Sequence, residues 1–365
     1  MNYEEFKEKL TEDLKENLFQ RGYEEVDVSF TNTKKANLDY ESMAIKPVHS
    51  NVGINLNVES IYAQHVKGVD YSEILKGITA QTVEALDKIP SIDVDSFTNY
   101  DEMKNKLTVE VIAKEGNEDF LKNIPHKDLE DMAIVYRFVL GNDEQIGRSS
   151  VTVTNQMLEN YGVTLDQLHQ DAITNAPKFR PPVIKGMTEV IREMMGQEMY
   201  DMVGQSMQPG GSEAVYVAST EDNVNGAGII AYPEFLQDAA DQLDSSFFIL
   251  PSSRHEVLLV IDDGIANYKD LELMVEQVNA TEVRPEDKLT DNVYHYDRDA
   301  EIFELAASYE ARINAKEQEE DIGEDGDKSS VLKDLGDKIK EASIRNEKGE
   351  TLKDTKSKSK GGEAI

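Results

Sequence analysis

Ser252, Ser253, Arg254, His255 and Glu256 follow one another directly, two hydroxyls, a guanidinium, an imidazole and a carboxylate in one short run. Those types in that order invite nucleophilic catalysis: a serine attacks once a base takes its proton, and His255 with Glu256 beside it would supply base and orienting acid. Three features weigh against that hydrolase-like chemistry. No G-x-S-x-G elbow precedes the run, and no pair of oxyanion donors is identifiable. A serine and a histidine three residues or fewer apart on one turn also rarely face each other. The competing reading gives Ser252, Ser253, His255 and Glu256 structural work in the turn. Arg254, with exposed turn N–H groups, then suits an anion or a peptide terminus better than hydrolysis.

A second set of candidates lies between Gly186 and Met207, which holds six of the 12 methionines. Met194, Met195, Met199 and Met202 recur at helical spacing with Met187, Ile191 and Val203. The stripe reads either as the buried face of a core helix or as a compliant surface for a protein partner, a use that flexible, polarizable thioethers suit. Metal chemistry has less support: His49, His65, His126, His169, His255 and His295 never pair at i, i+4, and H-E-x-x-H is absent. No P-loop or G-x-G-x-x-G is present, so no cofactor is expected, and Gly226-Ala227-Gly228 reads as a turn.

The elements that would position these residues are legible from periodicity. Phe247 to Leu250 and Val257 to Ile261 are short, aromatic and β-branched runs without alternation, so the sequence predicts a hairpin over 246–262 whose strands are covered on both faces, at the centre of a sheet. Phe6, Leu10, Leu14 and Leu18 recur at i+4, predicting a helix from Met1 to Arg21 that Gly22 stops. Strands are expected at Glu25–Phe30, Tyr40–Pro47, Val52–Val58, Lys106–Lys114, Met132–Leu140 and Ile146–Val153. Helices are expected at Tyr71–Lys88, from Thr154 or Asn155 to Asn160, and from the capping box Thr164-Leu165-Asp166-Gln167 to Asn175. Beyond Gly186–Met207, the pattern predicts strands at Ala214–Ser219 and Gly228–Tyr232, a helix opened by Pro233, another capped by Asn267, a strand at Asn292–Tyr296 and a helix at Ala300–Tyr309.

Pro177, Pro181 and Pro182 fall within six residues, so the boundary expectation is a lobe over 1–177 and a second over 178–309, each a sheet with helices. The fold class is therefore α+β, two sheet-and-helix lobes with a disordered, charged C-terminal tail over 310–365. Within that tail Val331, Leu335, Ile339 and Ala342 keep helical spacing, so 330–344 is either a docking helix or a weakly helical linker.

The 365 residues carry a formal charge of −34. From Glu310 to Ile365, 12 Lys and Arg stand against 15 Asp and Glu, so the body before the tail carries −31 of it. Such acidity opposes direct binding to nucleic-acid phosphates or anionic lipid. An acidic nucleic-acid mimic remains the sharper alternative, but pairs such as Glu4-Glu5 and Glu24-Glu25 are spaced as solvated faces. No apolar run approaches the roughly 18 residues of a membrane helix, and the acidic, amphipathic start lacks the form of a signal peptide. A cytoplasmic location follows as the expectation. Zero cysteines exclude disulfides and thiol nucleophiles.

Glu213 to Asp262, with AVYVAS and then NGAGIIAYPEFLQDAADQLDSSFFILPSSRHEVLLVID, resembles an uncharacterised bacterial family, domain of unknown function 5688, from gut-dwelling anaerobes. Its most specific part is LPSSRHE, Leu250 to Glu256. YRFVLGND, Tyr136 to Asp143, and NQMLENYGVTLDQLHQDAITNAP, Asn155 to Pro177, are similar to it as well. The resemblance covers about Met1 to Tyr309 and implies a cytoplasmic α+β protein with no assigned activity. The functional expectation is a non-enzymatic protein-interaction or accessory protein, in the manner of mobile-element accessories, with an unidentified protein partner.

Overall fold

The computed structural model describes residues 1–50, 52–88, 95–143, 147–196, 200 and 213–323. Its contacts divide the chain into a body, Met1–Ala306, and a unit beginning at Ala307. The expectations from residue 324 onward, including the helix at 330–344, lie outside the described residues, as do Met199 and Met202.

The body opens with α1 (Tyr3–Phe19), held at its start by a reciprocal capping box between Asn2 and Glu5. Phe6, Leu10, Leu14 and Leu18 are all fully buried. They pack on an antiparallel sheet of β1 (Val26–Lys35), β2 (Leu38–Pro47) and β3 (Ile54–Asn57), together with α2 (Val58–Val66) and α3 (Tyr71–Asp87). Among the described residues this core draws on those between Tyr3 and Leu86. Val58 was expected to end a strand; Asn57 instead accepts the Ser60 N–H and starts α2.

After a 3-10 turn (Asp95–Thr98), the chain makes α4 (Tyr100–Met103), β4 (Leu107–Ala113), α5 (Glu118–Leu121), β5 (His126–Leu129), β6 (Met132–Asp143), β7 (Gly147–Thr152), α6 (Asn155–Tyr161) and α7 (Leu165–Phe179). β6 pairs with β4, β5 and β7, all antiparallel. Next come β8 (Pro182–Gly186), α8 (Met187–Met195), β9 (Val215–Thr220), a 3-10 turn (Gly226–Ala231), α9 (Phe235–Leu243), β10 (Phe247–Ser253), β11 (Glu256–Ile261), α10 (Tyr268–Thr281), β12 (Tyr294–Asp297) and β13 (Ile302–Leu305). These six strands form one sheet ordered β13-β12-β10-β11-β9-β8. The mixture of helices with antiparallel sheets is the α+β class.

The hairpin lies at the sheet's centre. Phe247 and Ile249 are buried with Val257 and Leu259 in the large core shared with β4, β6, α7 and α9. Phe248 and Leu250 point the other way, into a smaller core with Val275 of α10 and Val293. Two covered faces are the physical cause of the unalternating apolar run.

Three expectations change. The boundary at Lys178 is not where packing divides, because the large core takes Leu168, Ala172 and Ala176 from one side and Ala218 to Tyr296 from the other. Pro177 sits inside the last turn of α7, and Pro182 opens β8 at the sheet edge, where a missing N–H costs no ladder bond. Gly228–Tyr232 forms no strand but a buried 3-10 turn, its Gly228 pressed against the Val109 carbonyl. Ala300–Tyr309 forms a turn and then β13, paired with β12, before α11 (Ala306–Gly323) takes over and runs past Glu310.

Candidate functional site

The β10–β11 ladder runs in register from Phe247 and Ile261 to Leu250 and Leu258, then shifts to pair Ser253 with Glu256. Arg254 and His255 thereby become the tip. The Ser253 hydroxyl accepts the His255 backbone N–H at 3.0 Å. Around the tip, the Arg254 N–H donates to the Asp287 carbonyl at 2.8 Å, and the His255 carbonyl accepts from the Ser219 hydroxyl at 2.7 Å.

The facing loop is the 3-10 turn and the residue before it. Asn225 is left-handed, with φ at 50°, and Gly226 is packed so closely that a Cβ would collide with Ser219 Oγ and the His255 carbonyl. That approach brings the Asn225 N–H to 3.1 Å from His255 Nδ1. A backbone N–H only donates, so Nδ1 is the acceptor and Nε2 carries the proton of the neutral ring. Nε2 then donates to Asp287 Oδ1 at 3.0 Å. Asp287 Oδ2 also faces Arg284 Nε at 3.3 Å.

Beneath the tip lies Glu110 of β4, 4% exposed. The Asn225 side-chain amide donates to it, Arg137 Nε is 3.2 Å away and an Arg254 Nη is 4.0 Å away. Arg254 Nε in turn donates to Asn225 Oδ1 at 2.8 Å. A buried carboxylate is tolerated only with such partners, and removing one of a buried pair typically costs about 3–5 kcal/mol. The arrangement clamps the hairpin to β4 and β6. Nearby, buried Arg180 holds the loop after β9 through the Thr220 hydroxyl at 3.1 Å and through the Val224 carbonyl.

The sequence-predicted group therefore disperses. The His255 imidazole meets Asp287 and Asn225 rather than a serine hydroxyl, and both its nitrogens are engaged. Arg254 turns inward to Asn225 and Glu110 instead of outward to an anion. Glu256 looks to the opposite side, into a groove of about 440 Å³ with Val183 and Lys185 of β8, Val217 of β9, and Val190, Glu193 and Met194 of α8. Met194 is 83% exposed and Met195 half-buried. α8 ends at Met195, where Gly196 adopts φ of 77°; Tyr200, whose N–H donates to the Gly196 carbonyl, is again helical, and the rest of the expected helix to Met207 lies outside the described residues.

Glu110, Asn225, Asp287 and Arg137 escaped the sequence reading. Glu110 did leave a trace, as the one charge within a largely apolar strand, and Asn225-Gly226 is a turn dipeptide. Asp287 left none.

Elsewhere, Tyr136 and His169 Nδ1 stand 2.9 Å apart. Burial pushes the Tyr136 phenol up and the His169 imidazole down, Lys127 adding to the latter, so the pair is held neutral. A larger groove, of about 810 Å³, lies between the β1–β2 turn, the segment from Ala113 to Phe120, and residues 285–292. Its lysines are largely spent on carboxylates: Lys34 is 3.3 Å from Asp119, Lys114 3.4 Å from Asp128 and Lys288 2.6 Å from Asp291. Among the described residues no three metal-ligating side chains converge, and no helix is long and apolar enough to cross a membrane.

The model of a family of unknown function, DUF5688, matches residues 3–298. No curated protein and no solved structure matches the chain.

Proposed function

We propose a non-enzymatic protein-interaction role for this chain, which belongs to the family of unknown function DUF5688. The observation that carries the proposal is the wiring of His255. With Nδ1 accepting from Asn225 N–H and Nε2–H donated to Asp287, the imidazole has no nitrogen left to deprotonate a hydroxyl. Ser253 Oγ is itself tied to the His255 N–H. The LPSSRHE turn thus acts as a brace, and we take the groove beside α8, with its exposed Met194, as the surface for recognition. The charge of −34 supports a protein partner over nucleic acid or anionic lipid, and a cytoplasmic setting is part of the same proposal.

Affinity capture from native lysate, paired with a panel of ester, peptide and nucleotide substrates, tests this. A stoichiometric protein partner and no turnover are expected. Turnover that disappears in a folded His255→Gln variant would replace the proposal with the hydrolase-like reading.

A further inference from the structure

The outer face of the six-stranded sheet is covered unequally. Over β10, β11 and β12, α10 lays Val275, Leu271 and Tyr268 on Phe248, Leu250, Leu258 and Val260. Over β8 and β9 the cover is α8, which buries none of its residues completely. Between α8 and the strands lies the 440 Å³ groove. Val183 and Lys185 pair with Ser219 and Val217, so all four project to this one face, and Glu256 follows on β11, next to the Val257–Ala218 pair.

Chemistry changes along the groove. Its α8 end is apolar, with Val183, Val190, Val217 and the exposed Met194. The far end carries Glu221, Asn223 and Glu256. Lys185 does not offset those carboxylates, because it lies 2.7 Å from Glu193 and is neutralised there. Among the described residues no cation stands within ion-pairing distance of Glu221 or Glu256. The groove therefore pairs an apolar anchor site with two uncompensated carboxylates, separated by about 10 Å, two interstrand spacings.

We infer that this groove receives a basic amphipathic segment of a protein partner, an apolar side chain seated against Val183, Val190, Met194 and Val217 and a lysine or arginine meeting Glu221 and Glu256. Charge complementarity selects this occupant over a second copy of the chain, whose own net charge would repel it. The thioether of Met194 adapts to the anchor's shape. About 10 Å is two turns of helix less a residue, so an apolar residue with a cation four to seven positions away satisfies both ends, given the reach of a long basic side chain. The inference rests on the protein-interaction reading and assigns its surface.

The test uses the full chain and a fluorescent peptide of roughly 15 residues, leucine on one helical face and lysine on the other. Binding by anisotropy is compared for wild type, Glu221→Gln/Glu256→Gln, Met194→Ser/Val190→Ser, and Glu12→Gln/Glu16→Gln, which removes two exposed α1 charges distant in sequence from the groove. Each groove variant should bind about tenfold more weakly, with an unchanged thermal midpoint, while the α1 variant matches wild type. No peptide binding, or equal losses in both charge variants, overturns the inference, the second result reducing it to diffuse attraction. A lysate partner captured equally by wild type and both groove variants also overturns it and leaves the interaction role standing. Failure of that broader role shows instead as no partner together with turnover.

Discussion

The two helices on the outer sheet face, α10 and α8, do opposite things with similar material. α10 has 14 residues, a side-chain cap at Asn267 and a buried Val275 above Phe248 and Leu250. α8 has nine residues, no cap from its own Gly186, only the distant Glu213 accepting its Thr188 N–H, and no buried residue. Length decides much of the contrast, since a helix becomes stable through the apolar stripe it can bury, and nine residues offer only about two and a half turns of one. Yet α8 is strongly amphipathic, with Met187, Val190, Ile191 and Met194 in helical recurrence. An apolar face without a complete core beneath it is what a recognition surface requires, whereas α10 shows what the same sheet does when the face is filled.

That contrast is open to direct attack. The largest effect belongs to Phe248→Ala, which empties the centre of the α10 core: a loss of about 3–5 kcal/mol in urea unfolding is expected, from lost burial plus the cavity left behind. A loss under about 1 kcal/mol would mean that the α10 side is as loosely filled as the α8 side. Asn267→Ala, which removes the oxygen accepting the Lys269 N–H, should cost about 1 kcal/mol by the same measurement. Helix α8 has no capping side chain at Gly186; the carboxylate of Glu213 accepts its Thr188 N–H at 3.0 Å instead.

The pH dependence sharpens the comparison. Burial, and then the like charge of Glu276, push the Glu272 carboxyl on α10 above its ordinary 4.5. The folded state therefore holds a proton that the unfolded state has released, so this group's contribution is complete below 4.5 and lost as pH rises through the raised value. Thermal midpoints across that window should fall less steeply for Glu272→Gln than for wild type; parallel curves would show that α10 does not desolvate this carboxylate. The smallest effect is Met194→Ser, below about 0.5 kcal/mol in stability despite the loss of peptide binding. A large stability loss would make Met194 core rather than surface.

Several parts of the molecule were legible because their causes are local. Helix α1 follows from Phe6, Leu10, Leu14 and Leu18, helix α6 from the Thr154 cap and the left-handed Gly162, and α7 from Thr164 bonded to the Gln167 N–H. The central hairpin was legible for a related reason, since residues whose two faces are both apolar have nowhere to go except between two layers. The candidate site was legible only as an inventory. Ser253, Arg254 and His255 could be named as a cluster, but what each one touches could not.

What the amino-acid sequence determines alone is therefore set by short-range rules: helical period, caps, turn dipeptides, the α+β class and the acidity of the surface. Tertiary structure decided the rest. β5 (HKDL), β8 (PVIKG) and β13 (IFEL) are too short to be strands alone, and become strands because β6, β9 and β12 offer them free edges. Gly228 to Tyr232 has a strand's composition but is bent into a 3-10 turn under the weight of β4's backbone. His255 became a brace rather than a base because Asn225 and Asp287, 30 and 32 residues away, reach its two nitrogens. Glu110, 115 residues from Asn225 in the chain, completes the clamp. Burial and partnership between such distant residues depend on which layers meet, and no local pattern encodes that meeting.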